Sequence, residues 1–249
     1  MNMKLNTSLT PMGNKIHQSG IQIDQLKAHH VDHHFSQSEI VWPTTVMLIQ
    51  LTGKEQHSLV IDSVRGSYIV KQSVKQLFKQ LDAIRPIGRA TTMKRLANFK
   101  NIYEYIPFVF CGLSLSPLKA TSNHSAAWFA AEKVTHYEPA DQIGYSRVWF
   151  KDIDTPFIMN LTPHVIHKRQ LDAFTVREFG KSIGEQILMS ATDHLSEPLT
   201  QYKLKQNQKE LEEFQFFARE SDVRQTLNFV GYEPTDEEVE RIVRMLIGK

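Results

Sequence analysis

Residues 44–84 read TTVMLIQLTGKEQHSLVIDSVRGSYIVKQSVKQLFKQLDAI, and their hydrophobic period changes partway along the stretch. Up to Lys71, runs of β-branched and apolar residues are separated by turn residues, which predicts a meander of three short strands. After Ser73 the apolar residues recur at helical spacing, at Val74, Leu77, Phe78, Leu81 and Ile84. This spacing predicts an amphipathic helix that Ser73 caps and Pro86 ends.

A concentration of positive charge begins in this stretch. Residues 65–105 contain nine basic and two acidic side chains, a local net charge of +7 in a chain whose total is only +2. The predicted helix carries Lys75 and Lys79 about one turn apart on its polar face. A polyanion is the natural partner for such an excess, and nucleic acid is the commonest one, although a merely solvated surface has the same composition.

Further basic residues follow the helix. Residues 86–89 are predicted to form a turn, bracketed by Arg85 and Arg89. Residues 91–100 are predicted to form a short helix whose outward cations are Lys94, Arg95 and Lys100. No G-x-x-x-x-G-K-[ST] or G-x-G-x-x-G motif occurs, so nothing supports a nucleotide-binding loop.

The middle of the chain continues as β-structure. Strands are predicted at residues 106–110, within 125–136, and as a hairpin of residues 145–150 and 155–160, while residues 112–124 are predicted to be a loop. Trp128 and Trp149 are expected to pack in the core or on the sheet.

The two ends of the chain differ from this middle. Residues 1–38 are polar and are predicted to form a loosely attached leader. Residues 163–249 are predicted to be helical, and their last helix begins at a capping box of Thr235 and Glu238. The expected fold is therefore α+β, with a β-rich central domain at residues 39–162 and a helical C-terminal region that serves oligomerisation or regulation.

Catalytic and metal-binding patterns are sparse. Four histidines lie close together, at His29, His30, His33 and His34. Their i, i+4 pairs would share one face of a helix, which leaves a metal-dependent enzyme as an alternative, but no H-E-x-x-H motif accompanies them. No G-x-S-x-G elbow occurs either. We therefore predict no catalytic residue, no metal site, no cofactor and no enzymatic activity.

Composition also predicts the cellular location of the protein. No apolar run is long enough to span a bilayer, and the first residues lack the apolar core of a signal peptide. The single cysteine, Cys111, excludes an intramolecular disulfide bond and is expected to be a buried structural thiol. We expect a soluble, cytoplasmic protein without membrane contact.

The order of these elements resembles the family of the bacterial competence transcription factor ComK. The resemblance covers about residues 45–174 and rests on the segments Gly88-Arg89, Leu96 to Lys100, Pro107-Phe108-Val109, Ser116-Pro117, Thr121-Ser122, Ala127-Trp128-Phe129 and Val148-Trp149-Phe150. The family's cysteines are absent at the equivalent positions, and its Phe-Phe-Pro-Thr run is replaced here by residues 113–117.

The resemblance implies an activator of competence genes for DNA uptake. Members of the family bind paired AT-rich boxes of double-stranded DNA as oligomers, largely from the minor groove, and an adaptor with a Clp protease controls their abundance. The predicted DNA-binding residues are Lys75, Lys79, Arg85, Gly88, Arg89, Lys94, Arg95 and Lys100. The arginines at residues 85 and 89 suit a narrow AT-rich minor groove, and the other cations would contact phosphates.

An alternative from another class of protein remains open. The acidic, amphipathic C-terminal helices would then form a protein–protein interaction module without direct DNA binding. Residues 209–249 carry ten acidic and six basic side chains, so the charge at this end is opposite to that of residues 65–105.

Overall fold

The computed structural model describes residues 8–35, 40–51, 57–84, 90–110, 112–119, 127–190, 198–229 and 232–246. The strands are β1 (Ile21–Gln22), β2 (His33–Phe35), β3 (Thr45–Gln50), β4 (Ser58–Asp62), β5 (Gly66–Val70), β6 (Phe108–Phe110), β7 (Leu113–Pro117), β8 (Ala127–Ala130), β9 (Val134–Pro139), β10 (Ser146–Phe150) and β11 (Phe157–Met159). The helices are α1 (Pro11–Ile16), α2 (Val74–Ile84), α3 (Ala90–Phe99), α4 (Pro163–Ser190), α5 (Pro198–Phe229) and α6 (Asp236–Leu246). Helices and strands both make up large parts of the chain, which confirms the prediction of an α+β fold.

Two units make up the chain. Residues 1–97 and 101–177 form the first unit, and residues 98–100 and 178–249 form the second. The larger part of the second unit begins at residue 178, inside α4. Helix α4 continues across this point without a break, because residues 164–190 contain no proline.

Seven strands of the first unit form one mixed sheet, in the order β2-β5-β4-β3-β8-β7-β6. Strands β3, β4 and β5 pair antiparallel with Leu48 opposite Val60 and Val60 opposite Tyr68, so the predicted meander is confirmed. These three side chains belong to one apolar cluster, whereas their neighbours Ile61 and Ile69 belong to another. Because side chains alternate along a strand, the sheet is buried on both faces.

A second, four-stranded sheet has the order β1-β11-β10-β9. Its hairpin of β10 and β11 was predicted, and the pairing of Val148 with Phe157 confirms it. Val148 and Phe157 are fully buried in the same cluster as Ile61 of the larger sheet. Ile166 of α4 joins this cluster, so the space between the sheets and the start of α4 forms one core.

The prediction of a loosely attached leader is wrong for residues 8–35. Strand β1 pairs parallel with β11 and β2 pairs parallel with β5, so this segment supplies an edge strand to each sheet. Leu9, Ile21 and Val31 are buried in the core. The strands are only two and three residues long, and they form through contacts with residues far away in sequence, which a local pattern does not reveal.

The loop predicted at residues 112–124 is also wrong in part, because β7 pairs with β6 on one side and with β8 on the other. Its Leu-Ser-Leu-Ser alternation has the period of a strand, and the serines are buried with the leucines. Trp128 of β8 is buried as expected, whereas Trp149 of β10 is half-buried beside the His136 ring at 5.2 Å.

The helical C-terminal region is confirmed. The backbone N–H of Thr235 donates to Oε2 of Glu238 at 2.9 Å, and the backbone N–H of Glu238 donates to Oγ1 of Thr235 at 3.3 Å, so the predicted capping box exists. Val239 and Val243 form the buried side of α6, which packs against α5. Among the described residues, none of the helices combines the length and the apolar composition that crossing a membrane requires.

A candidate nucleic-acid interface

Hydrogen bonds hold the start of helix α2 to strands β3 and β4. Ser73 and Gln76 cap each other: the Ser73 N–H donates to Gln76 Oε1 at 2.7 Å, and the Gln76 N–H donates to Ser73 Oγ at 3.2 Å. The next backbone N–H, that of Val74, donates to Oε1 of Gln50 in β3 at 2.9 Å. The hydroxyl of Ser58 in β4 donates to the Gln72 carbonyl at 2.6 Å. These bonds attach the start of α2 to the sheet.

The apolar side of α2 holds the helix against the sheet along its length. Leu77 and Leu81 are fully buried with Leu48 and Tyr68. Burial of each leucine side chain contributes about 1.5–3 kcal/mol. The helix therefore cannot rotate about its axis without exposing this apolar surface.

The opposite side of α2 carries exposed cations. Lys75 and Lys79 are exposed, as is Lys71 just before the helix. None of the three has an ion-pair partner within the described part of the chain. The two helical lysines are separated by about 6 Å along the axis, so α2 presents a row of lysines whose backbone positions are fixed.

Helix α3 confirms the prediction of a second basic helix. Met93, Leu96 and Ala97 are buried, while Lys94 is exposed and Arg95 is half-buried. The remaining predicted DNA-binding residues between the two helices, Arg85, Gly88 and Arg89, lie outside the described residues. The same holds for Cys111.

Lys100 differs from Lys75 and Lys79 of α2, because it has an ion-pair partner. Its ammonium group forms an ion pair with Glu210 of α5 and lies 4.1 Å from the centroid of the Phe179 ring. The sequence predicts that this side chain points outward with those of Lys94 and Arg95. In the structure its ammonium group instead contacts other residues of the second unit. No local pattern reveals this pairing, because Glu210 is distant in sequence.

A buried arginine that sequence reasoning missed holds the loop after α3. The guanidinium carbon of Arg169 lies 3.5 Å from the centroid of the Tyr105 ring, and Arg169 is only 5% exposed. Tyr105 has a φ of 52°, in the left-handed region that non-glycine residues rarely adopt. The stacking on a buried cation stabilises this unfavourable backbone conformation.

The predicted histidine cluster is not assembled. His33 and His34 are exposed on β2, and His30 instead contacts His17, with 3.3 Å between Nε2 of His17 and Nδ1 of His30. No group of three or more side chains that could hold a metal ion occurs among the described residues. The ring of His30 also lies against that of His29, with centroids 4.4 Å apart.

Hydrogen bonds assign the protonation of this pair. The backbone N–H of Gln22 donates to Nδ1 of His17 at 3.2 Å, and that of Lys27 donates to Nδ1 of His30 at 3.3 Å. Both Nδ1 atoms are therefore acceptors, and His17 donates through Nε2. Burial, and secondarily the charge on a protonated His30, lowers the pKa of His17 to about 4.

A cavity of about 450 Å³ opens in the first unit, and Gln50, which accepts the Val74 N–H at the start of α2, is among its lining residues. Ile23, Leu26 and Leu118 line it together with Asp24 and Lys119. Nζ of Lys119 lies 3.1 Å from Oδ1 of Asp24, so these two side chains form an ion pair. Lys27 and His29 also line the cavity.

Comparisons with models of protein families, with curated proteins and with solved structures find no match for this chain.

Proposed function

We propose that this protein binds AT-rich double-stranded DNA and activates transcription of competence genes, as its resemblance to the ComK family implies. The observation that carries the proposal is the row of exposed lysines on α2, whose opposite side is locked into the core. A cation row on a mobile segment would also attract DNA, but a fixed row can hold the protein in one orientation on the duplex.

The cations of the two helices supply affinity in this proposal. Lys75, Lys79, Lys94 and Arg95 contact phosphates, which carry no sequence information. Each neutralised phosphate releases counterions, so four contacts give a slope of about −3.6 for log affinity against log salt concentration.

Residues 85–89, which lie between the two helices in sequence, supply specificity in this proposal. Arg85 and Arg89 enter the minor groove, where narrow AT-rich sequence enhances the negative potential. Gly88 lies between these two arginines in sequence, and a glycine lets the backbone approach DNA closely because it has no side chain. The proposal places the protein in the cytoplasm, as a homo-oligomer on paired boxes, with an adaptor and a Clp protease as regulators.

Fluorescence anisotropy with two labelled duplexes of equal length tests the proposal. One duplex carries spaced A-tract and T-tract boxes and the other is G·C-rich, and each is measured at two salt concentrations. Tight, salt-dependent binding with preference for the AT-rich duplex supports the proposal. Equal and weak binding to both duplexes reduces the basic residues to a general anion-binding surface.

The interaction module is the second candidate, because the second unit exposes a set of large apolar side chains. They are Phe229, Tyr232, Met245 and Leu246. Isolated exposed apolar residues are common, but such side chains also form the centres of protein interfaces. Absence of binding to either duplex at both salt concentrations would make this candidate the preferred one.

A further inference from the structure

An aromatic cluster of the second unit encloses the end of α3. The ring centroid of Phe99 lies 5.1 Å from that of Phe179, 5.5 Å from that of Phe214 and 5.7 Å from that of Phe217. Phe99 is the last residue of α3, so these contacts fix the position of the residue that follows it. That residue is Lys100.

The ammonium group of Lys100 has two electron-rich neighbours. It is paired with the Glu210 carboxylate, and the face of the Phe179 ring lies 4.1 Å away. The Lys100 side chain is 24% exposed and that of Glu210 is 36% exposed, so solvent and solutes reach the pair. A carboxylate oxygen and a phosphate oxygen make the same kind of contact with an ammonium group. A DNA phosphate that contacted the Lys100 ammonium group would therefore have to replace the Glu210 carboxylate.

We propose that Glu210 is an intramolecular competitor of DNA, which withholds Lys100 from the phosphate backbone while the ion pair is closed. The proposal rests on the proposed DNA-binding function and adds a regulation to it. Opening the pair makes the ammonium group of Lys100 available for a phosphate contact. A molecule that binds α5 and engages Glu210 therefore raises the affinity for DNA.

The energetics permit this competition. A partly exposed ion pair shifts an equilibrium by at most about fivefold, because water screens the charges and ordering the side chains costs entropy. DNA is a dense polyanion and gains entropy from counterion release. The pair therefore opens at small cost, while Phe99 keeps the helix end in place.

The test replaces Glu210 with glutamine, which preserves size and removes the charge. Affinity for the AT-rich duplex should rise by about twofold to fivefold, and the salt slope should steepen by about 0.9. Glu213→Gln is the matched control, since Glu213 lies on the same helix and its Oε1 is 3.9 Å from Nζ of Lys209. It removes an equal charge without touching Lys100, so neither affinity nor slope should change.

A double replacement assigns the effect to Lys100. The gain from Glu210→Gln should disappear when Lys100 is already glutamine, because no cation is then available to release. An equal gain in the Glu213→Gln protein, or a gain that persists in the Lys100→Gln background, would overturn the proposal in favour of a general charge effect.

A measurement without DNA separates this proposal from the proposed function. The rate at which an acylating reagent modifies Lys100, followed by mass spectrometry with Lys75 as internal reference, should increase in the Glu210→Gln protein. An unchanged rate overturns the masking of Lys100 even if the wild-type protein binds DNA. An increased rate in a protein that binds neither duplex retains the masking and overturns DNA as the competing ligand.

Discussion

The ring of Phe78 on α2 stacks on the ring of Phe108 in β6, with centroids 4.5 Å apart and ring planes inclined by 17°. Trp128 of β8 meets the same Phe78 ring edge-on at 4.8 Å. The helix that carries the exposed lysines is thus tied to two strands far from it in sequence. The orientation of the lysine row depends on these aromatic contacts as well as on the cap at Ser73.

Replacing Phe78 with alanine should lower the free energy of unfolding by about 2–3 kcal/mol, because it leaves a cavity between α2 and the sheet. Urea unfolding followed by circular dichroism measures the loss. Lys75→Ala, on the exposed side of the same helix, should change stability by less than about 0.5 kcal/mol. Equal stability of the two variants would show that α2 is not packed as described.

Replacing Lys75 and Lys79 together with alanine should make the salt slope of DNA binding less steep by about 1.8, since two phosphate contacts are lost. Affinity for AT-rich and G·C-rich duplexes should fall by the same factor. The control removes two other exposed lysines, Lys15 and Lys151, and should leave the slope as in the wild type. A slope that responds equally to both double variants would remove α2 from the interface.

Replacing Arg89 with alanine should act on specificity. Binding to the AT-rich duplex should weaken by about 1–3 kcal/mol, because a groove-reading arginine is lost, while the weak G·C-rich binding changes less. Anisotropy titrations on both duplexes measure the two effects. The Lys75→Ala variant serves as the comparison, since a phosphate contact affects both duplexes alike. Unchanged affinity for the AT-rich duplex would exclude Arg89 from the site.

Acidification should destabilise the N-terminal segment through His17. Its pKa is about 4 in the folded protein, against an ordinary value of 6.5, so the unfolded chain binds the proton more readily. This contribution to stability is fully present above about pH 6.5 and is lost as the pH falls towards 4. The thermal midpoint measured across this range should therefore decline.

His17→Gln tests the origin of that decline. The variant should be less stable at neutral pH, because the bond with His30 is altered, but its thermal midpoint should depend less on pH between 6.5 and 4. His33→Gln is the control, since His33 is exposed and should leave the wild-type profile intact. An identical profile in the His17→Gln protein would assign the decline to other groups.

Local sequence patterns predicted those parts of the fold whose stabilising contacts are short in range. The cap of Ser73 with Gln76 and the cap of Thr235 with Glu238 join residues three positions apart, and both are present. The meander of β3, β4 and β5 joins neighbours along the chain, so it was visible as alternation between turn signals. The exposed lysines of α2 followed from the same helical period that buried Leu77 and Leu81.

The sequence by itself determined the α+β class, the amphipathic character of α2 and α6 and the concentration of positive charge at residues 65–105. Only the tertiary structure decided that residues 8–35 complete both sheets and that Lys100 is paired with Glu210. The physical reason is the range of the interactions. Helical and strand periods are set by adjacent residues, whereas an edge strand or an ion pair forms only where the folded chain brings distant residues together.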